Sequence, residues 1–159
     1  MSATPGFADL VSDSGLLLDA EYGSKDSLLA GLAAAGARQT GLAPSLILER
    51  LRTRETLGST GFGQGAAIPH ARLDGLPGVR VIVARLTQPV DFDAIDGQPI
   101  DVAVLLLSPE AAGADHLKAL ARISRVLRDP SALQAMRDAG NIDAMRLAIG
   151  GGHTGQRAA

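Results

Sequence analysis

Among the three histidines of the chain, His70 has the sequence context most favourable for chemistry. It follows Ile68 and Pro69, which come after the glycine-rich segment 58–65, GSTGFGQG. Proline restricts itself and the residue before it, so a rigid lead holds His70 at the end of a short apolar segment. Free amides of a glycine-rich loop can bind an anion, and a neutral imidazole nitrogen is a nucleophile. The pattern favours phosphoryl uptake on His70, although a loop histidine without a function fits the spacing equally well.

His116 is the second candidate, because it combines a helix start with an inward-facing position. The spacing predicts a helix over 115–127, and Ile123 and Leu127 lie on the face of His116, seven and eleven positions on. The helix dipole disfavours a cation at this end by about 0.3–1 kcal/mol and favours a bound phosphate. A neutral His116 would therefore donate a hydrogen bond to a phosphoryl oxygen. A histidine satisfied at the edge of the core explains the same spacing.

Arg54 is the third candidate, because it ends a predicted helix just before the glycine-rich segment. A guanidinium at this position can bind two phosphate oxygens at once. The alternative for any single arginine is a solvated surface charge, and we interpret Arg50 and Arg52 in that way. Arg54 differs from Arg50 and Arg52 because it lies beside the glycine-rich segment.

Three other kinds of site are weak or excluded. Segment 58–65 lacks the Gly-Lys-Ser/Thr ending of a nucleotide-binding P-loop. Its Gly61-Phe62-Gly63 run matches only part of a dinucleotide fingerprint. A metal site needs clustered ligands, whereas the chain has no cysteine and its three histidines lie far apart in the sequence. We therefore expect neither a metal nor a cofactor.

The composition indicates one aliphatic domain without disulfides. The 159 residues are 46% hydrophobic but only 3% aromatic, and none is cysteine. A net charge of −2 argues against a nucleic-acid-binding protein, which usually carries a basic excess. No apolar run is long enough to span a membrane, and the N-terminus lacks the features of a signal peptide. We therefore expect a cytoplasmic protein.

Strand and helix patterns alternate along the chain. Predicted strands cover 15–20, 79–86 and 101–108, with a short apolar segment at 66–68 and a loop at 58–65. Predicted helices run from Ser24 to about Gln39, from Pro44 to about Arg54 and over 115–127, with two more entered at Asp129-Pro130 and Asn141. Continuous apolar runs in the two clearest strands indicate a sheet covered on both faces. The pattern predicts an α/β fold with a mixed sheet between helix layers.

Three ordered segments resemble enzyme IIA proteins of the bacterial phosphotransferase system. They are RETLGSTGFGQGAAIPHAR (54–72), FDAIDGQPID (92–101) and DHLKALARISRVL (115–127). The resemblance is to the fructose, mannitol and nitrogen-related class and is closest to the nitrogen-related branch. It implies a single domain over 8–148 with an about five-stranded mixed sheet. Residues 1–7 and 149–159 are then expected to be flexible tails.

The resemblance also implies roles for particular residues. His70, in the IPH motif, is expected to accept the phosphoryl group at Nε2. His116 is expected to lie beside it, and Arg54 is expected to assist from the start of the loop. The loop residues expected to cradle the phosphoryl group are Ser59, Thr60 and Gly61.

The implied function is that of a phosphohistidine carrier loaded by a histidine-phosphorylated carrier protein. In the favoured interpretation it regulates partner proteins according to its phosphorylation state, since the chain ends soon after the IIA-like region. The alternative is a sugar-specific component that passes phosphate to a IIB-type acceptor during fructose- or mannitol-type uptake. A module that binds phosphate without transferring it is a third possibility, and its activity would survive loss of His70.

Overall fold

A mixed sheet of six strands runs through the middle of the molecule in the computed structural model, which describes residues 6–150. The strands are β1 (Leu16–Ala20), β2 (Gly61–Gly63), β3 (Ala66–Ala67), β4 (His70–Leu73), β5 (Arg80–Val90) and β6 (Ile100–Pro109). Their order is β1-β5-β6-β3-β2, and β4 also pairs with β6. β5 and β6 are antiparallel, whereas β1 pairs with β5, and β3 and β4 pair with β6, in parallel. The sheet is mixed as predicted, with six strands where about five were expected.

Helices cover both faces of this sheet. They are α1 (Lys25–Thr40), α2 (Pro44–Thr56), α3 (Gly113–Leu127), α4 (Pro130–Asp138) and α5 (Ile142–Ile149). α1 begins at a capping box in which Ser24 accepts a hydrogen bond from the amide of Ser27. α2 has Pro44 at its first position, where the missing N–H costs nothing. The predicted helices are confirmed, although α3 begins two residues before 115.

The central strand β6 is buried on both faces, and its side chains alternate between two cores. Even-numbered residues from Val102 to Leu106 pack in the core that α3, α4 and α5 cover. Odd-numbered residues from Ala103 to Leu107 pack in the core that α1 and α2 cover. Alternation of this kind is the two-residue period of a strand, and it explains why the sequence of β6 is apolar without interruption.

Pro69 separates β3 from β4 along one edge of β6. β3 lies opposite Val102 and Ala103, and β4 begins with His70 opposite Leu106. Proline has no N–H to donate to a ladder, but the Pro69 carbonyl accepts from the Leu106 amide at 3.0 Å. The chain therefore continues alongside β6 across Pro69, and His70 is the first residue of β4.

The glycine-rich segment 58–65 is not a loop throughout, so that part of the prediction is wrong. Gly61–Gly63 forms β2, which pairs antiparallel with β3. Gln64 and Gly65 join the two strands with φ values of 63° and 80°, the left-handed pair of a type I′ hairpin turn. Glycine is unfavourable inside strands, which is why composition indicated a loop, but the same residues allow this tight turn.

The two ends of the described chain lie together. The amides of Gly6 and Phe7 donate to the carbonyls of Gly150 and Ile149 at 3.2 and 2.9 Å, and Phe7 is fully buried. All four residues lie within the predicted flexible tails 1–7 and 149–159, yet Phe7 and Ile149 are buried in one of the cores. The rest of both tails, His153 included, lies outside the described residues. Within 6–150, no helix is long and apolar enough to cross a membrane.

Candidate functional site

His70 is held by the backbone on one side and by an arginine on the other. Its Nδ1 lies 2.8 Å from the carbonyl oxygen of Ile68. Because a carbonyl can only accept, the proton of the neutral ring lies on Nδ1 and the lone pair lies on Nε2. Arg54 Nε donates to that Nε2 at 3.2 Å. The nucleophilic atom of the ring is therefore Nε2, and a cation already lies beside it.

The half-buried position of His70 keeps its ring neutral. Burial is the main cause that lowers the pKa of His70 below its ordinary value, and the cations Arg54 and Arg72 lower it further. The hydrogen bond to Ile68 and the carboxylate of Glu55 act in the opposite direction. A neutral ring at pH 7 keeps the lone pair on Nε2, as a nucleophile requires.

Arg54 is fixed by the glycine-rich segment that follows it. Its Nη1 donates to the carbonyl of Gly58 at 2.9 Å, while its Nε donates to His70. Gly58 has a φ of 142°, a conformation that glycine adopts without the steric cost other residues pay. The guanidinium therefore bridges the segment and the histidine, and the last turn of α2 sets its position.

His116 lies next to His70, at the start of α3. The two ring centroids are 5.4 Å apart, with the planes inclined by 51°. The side chain is only 4% exposed, as its helical spacing predicted, and its Nδ1 lies 2.7 Å from Oγ of Ser108. Burial first, then the charges of His70 and Arg72, lower the pKa of His116 to about 4. Burial, rather than the helix dipole invoked from the sequence, is thus the main reason that this ring is neutral.

An open cleft of about 370 Å³ connects the two histidines. The residues that line it include Arg50, Arg54, Leu57, His70, Arg72 and His116. Three guanidinium groups make the cleft electropositive, which suits an anionic group. Leu57 is 81% exposed and gives the cleft an apolar rim.

Arg72 and Arg50 also line the cleft, although Arg72 was not singled out from the sequence and Arg50 was interpreted as a solvated surface charge. Arg72 lies two positions after His70 on β4, so both side chains leave the strand on the same side. Arg50 lies one helical turn before Arg54, and its Nη1 donates to the carbonyl of Arg72 at 3.2 Å. Spacings of two in the strand and four in the helix were the available signals. The strand spacing could be used only once His70 was known to begin a strand.

The residues of the predicted phosphate cradle make hydrogen bonds within the protein. Ser59 Oγ donates to the carbonyl of Phe92 at 2.8 Å, and the amide of Gly61 donates to Ser59 Oγ at 3.0 Å. The hydroxyl and the amide of Thr60 both donate to the carboxylate of Glu55. None of the three predicted residues lines the cleft. Their polar groups anchor the segment instead, because a turn rich in glycine needs fixed partners to hold one conformation.

Glu55 is the centre of this anchor. Its side chain is only 6% exposed and forms an ion pair with Lys25 at 3.0 Å, in addition to its bonds with Thr60. The ammonium of Lys25 also lies 4.5 Å from the centre of the Phe92 ring. A buried carboxylate with these partners ties α1, α2 and the glycine-rich segment together. Since Arg54 is the preceding residue, the anchor also fixes the start of the site.

No group of three or more histidine, aspartate or glutamate side chains within residues 6–150 is arranged to hold a metal ion. The described site brings together the imidazoles of His70 and His116 and three guanidinium groups.

The fold and this pair of histidines define a class, and comparison with known proteins identifies it. Residues 10–150 match the family described as "Phosphoenolpyruvate-dependent sugar phosphotransferase system, EIIA 2". The chain belongs to this family. This match confirms the phosphotransferase-system assignment made from the sequence. The relatives and solved structures described next confirm the nitrogen-related resemblance and the fold class.

Relatives named for nitrogen regulation cover most of the chain. It is 48% identical over 134 residues to a nitrogen regulatory protein of Bradyrhizobium diazoefficiens, covering 82% of this chain and 88% of the relative. It is 42% identical over 130 residues to a nitrogen regulatory protein of Pseudomonas aeruginosa, covering 81% and 84%.

Solved structures agree with these relatives. The crystal structure of the nitrogen regulatory protein IIA-Ntr from Neisseria meningitidis superimposes with a TM-score of 0.85 at 33% identity, over 90% of this chain and 98% of that one. The IIA mannitol protein from Escherichia coli shares the fold, with a TM-score of 0.73 at 15% identity over 87% and 97% of the two chains.

Proposed function

We propose that this protein is a phosphohistidine carrier that accepts a phosphoryl group on Nε2 of His70 from a histidine-phosphorylated carrier protein. One observation carries the proposal. The Ile68 carbonyl accepts a hydrogen bond from Nδ1, which keeps the ring proton on Nδ1 and the lone pair on Nε2, in a cleft with three arginines. A nucleophile at a fixed nitrogen and a cluster of cations are what transfer of an anionic phosphoryl group requires.

In the transfer step, the lone pair of His70 Nε2 forms a bond to phosphorus. The phosphorus–nitrogen bond of the donor breaks at the same time, and its electron pair returns to the donor imidazole. Arg54 Nε now donates to that Nε2 lone pair, so the guanidinium must release it before attack. The released guanidinium is then free to bind the phosphoryl oxygens as negative charge gathers on them.

The neighbouring groups divide the remaining work. Arg72 lies on the same strand as His70 and supplies positive charge to the cleft throughout the transfer. His116 is neutral, so it can donate one hydrogen bond to a phosphoryl oxygen without itself titrating at pH 7. The bond between His70 Nδ1 and the Ile68 carbonyl persists and stabilises the positive charge that spreads over the ring.

We infer further that phosphorylation of His70 regulates the binding of partner proteins in the cytoplasm. A phosphoryl group brings a charge of about −1.5 to −2 into a cleft that three arginines make positive. A partner with an acidic or apolar surface should then bind the unphosphorylated form better, and one with exposed lysine or arginine should bind the phosphorylated form better. The nitrogen regulatory relatives, which match over four-fifths of this chain, support this function over sugar transport.

Incubation with phosphoenolpyruvate and the general phosphotransferase proteins tests the carrier function. Wild-type protein should gain the mass of one acid-labile phosphoryl group in intact-mass measurement, and His70→Ala should gain none. His116→Ala is the matched control, since it also loses an imidazole from the cleft but should still be labelled, more slowly. Undiminished labelling of His70→Ala would refute the assignment.

The regulatory function has its own test. Partners recovered by pull-down are titrated calorimetrically with phosphorylated and unphosphorylated protein at two salt concentrations. A preference of about tenfold or more for one form, weakened by salt, is expected, and equal affinities would refute regulation. Rapid discharge of the phosphorylated protein to a IIB-type acceptor, with no such preference, would favour the sugar-specific alternative.

A further inference from the structure

Ser108 places a buried hydroxyl against His116. It lies near the end of β6, is completely buried, and pairs in register with Arg72 of β4. Its Oγ lies 2.7 Å from Nδ1 of His116. Among the residues that the structure describes, His116 is the hydrogen-bond partner of this hydroxyl, and no second partner is present.

Burial settles which of the two groups donates. If His116 donated from Nδ1, the hydroxyl proton of Ser108 would have no acceptor within the described structure. A buried donor without an acceptor costs about 1–3 kcal/mol. If Ser108 donates to Nδ1 instead, its hydroxyl is satisfied and the ring proton lies on Nε2. His116 lines the open cleft and Ser108 does not, so solvent or a phosphoryl oxygen can accept from Nε2. The hydroxyl is therefore the donor, and Nδ1 of His116 carries a lone pair.

The proton of the neutral His116 ring must then lie on Nε2. We propose that Ser108 is a positioning residue that holds His116 in the Nε2–H form, so that the ring offers an N–H to a phosphoryl group on His70. The opposite form would direct a lone pair toward the phosphoryl oxygens and repel them. The low pKa of His116, caused mainly by burial, agrees with a ring that stays neutral throughout.

The two histidines of the cleft are thus held in opposite protonation patterns. His70 has its proton on Nδ1, because a carbonyl accepts there, and its lone pair on Nε2. His116 has its lone pair on Nδ1, because a hydroxyl donates there, and its proton on Nε2. One ring is prepared to form a bond to phosphorus and the other to donate to an oxygen of the same group.

Nitrogen-15 NMR of the unphosphorylated wild-type protein at pH 7 tests the assignment directly. The imidazole nitrogens of a neutral histidine have distinct shifts with and without a proton. His116 should show its proton on Nε2 and a hydrogen-bonded, unprotonated Nδ1, with the reverse pattern in His70. A proton on Nδ1 of His116 would overturn the proposal, whether or not any variant folds.

Substitution tests the functional consequence, which rests on the proposed carrier function. Ser108→Ala should lose the hydrogen-bonded Nδ1 signal of His116. It should also lower the rate of phosphoryl transfer at saturating donor by about tenfold, the lower end of the effect of removing the partner of a metal-bound histidine. The KM for the donor should not change. Ser108→Thr keeps the hydroxyl and should restore both signal and rate, and the exposed control Ser131→Ala should alter neither.

The outcomes separate this proposal from the carrier function. Failure of the wild-type protein to take up phosphate would refute the carrier function, while the NMR assignment of His116 would still be decided. Normal transfer by Ser108→Ala, or a slow Ser108→Thr with an intact Nδ1 hydrogen bond, would refute the positioning role of Ser108 and leave the carrier function standing.

Discussion

The two histidines of the cleft are the same side chain in two different settings. His70 begins a strand, is half-buried, and has a backbone carbonyl at Nδ1 and an arginine at Nε2. His116 lies in the first turns of a helix, is 4% exposed, and has a serine hydroxyl at Nδ1. The partner of Nδ1 decides whether Nε2, the nitrogen assigned to the phosphoryl group, carries a lone pair or a proton. Identical residues thereby acquire opposite tasks.

Of the substitutions beside His70 and His116, loss of Arg54 is expected to slow phosphoryl transfer the most. Arg54→Ala should slow phosphoryl transfer by on the order of 10²–10³-fold, because a positioned donor to the developing charge is lost. Arg54→Lys should recover only part of the rate, since a single ammonium cannot replace a guanidinium fork. Rapid-quench kinetics of transfer from the phosphorylated donor measures both.

Arg52→Ala is the matched control on the same helix. Arg52 pairs with Asp26 at 2.8 Å on the surface and does not line the cleft, so its removal should leave the transfer rate unchanged. Equal rates for Arg54→Ala and wild-type protein would remove the arginine from the mechanism.

Acid should distinguish the buried histidine by its effect on stability. The pKa of His116 is about 4 in the folded protein, whereas an unfolded histidine titrates near 6.5. The unfolded state therefore binds more protons below pH 6.5, and the free energy of unfolding falls as the pH drops from 6.5 to 4. His116 contributes about 3 kcal/mol to this loss.

Urea unfolding of wild-type protein and His116→Gln across this range measures the contribution. The variant lacks the titrating ring, so its free energy of unfolding should fall less steeply between pH 6.5 and 4. The lowered pKa of His70 acts in the same direction in both proteins and cancels from the comparison. Parallel curves for the two proteins would mean that His116 titrates normally in the fold.

His116 should affect the rate less than Arg54 does. His116→Gln should slow transfer by about ten- to a hundredfold, because one neutral hydrogen bond to a phosphoryl oxygen is lost or misplaced. His70 should still be the labelled residue in this variant. Peptide mapping of the labelled protein under neutral conditions checks the position, and transfer at the wild-type rate would show that His116 does not touch the phosphoryl group.

Disruption of the Glu55 anchor of the glycine-rich segment should have the smallest effect on the rate of phosphoryl transfer. Glu55→Gln weakens the bonds to Thr60 and removes the charge paired with Lys25, so it should lower the free energy of unfolding by about 1–3 kcal/mol. Transfer should slow only several-fold, through a less rigid Arg54. Glu49→Gln, an exposed change on the same helix, should alter neither quantity, and full stability of Glu55→Gln would show that the anchor is dispensable.

The sequence predicted the elements well where period and caps agree. The continuous apolar run of β6 indicated a strand buried on both faces, and Pro44 and Asn141 marked helix starts that the structure confirms. The hairpin in segment 58–65 was missed, because its strands are too short and too rich in glycine to show a two-residue period. The two short strands are joined into a hairpin by the left-handed turn at Gln64 and Gly65.

The candidate site was predicted in part. His70, His116 and Arg54 were expected to meet, and they lie around one cleft. Arg72 was not found, because its spacing of two from His70 has meaning only in a strand and the sequence did not predict β4. Ser108 was not found, because its contact with His116 depends on how the end of β6 packs against the start of α3. The roles expected for Ser59 and Thr60 rested on a family resemblance. It carried no information about the Phe92 carbonyl that accepts from Ser59 or the buried Glu55 carboxylate that accepts from Thr60.

The assignment of opposite tasks to the two histidines is tested most directly by locating the phosphoryl group on a single nitrogen. Nitrogen-15 and phosphorus-31 NMR of freshly phosphorylated wild-type protein, kept at neutral pH, resolves the four imidazole nitrogens of His70 and His116. The expected spectrum shows phosphorus coupled to Nε2 of His70, a proton still on Nδ1 of that ring, and His116 unmodified. Phosphorus coupled to Nδ1 of His70, or to either nitrogen of His116, would contradict the assignment.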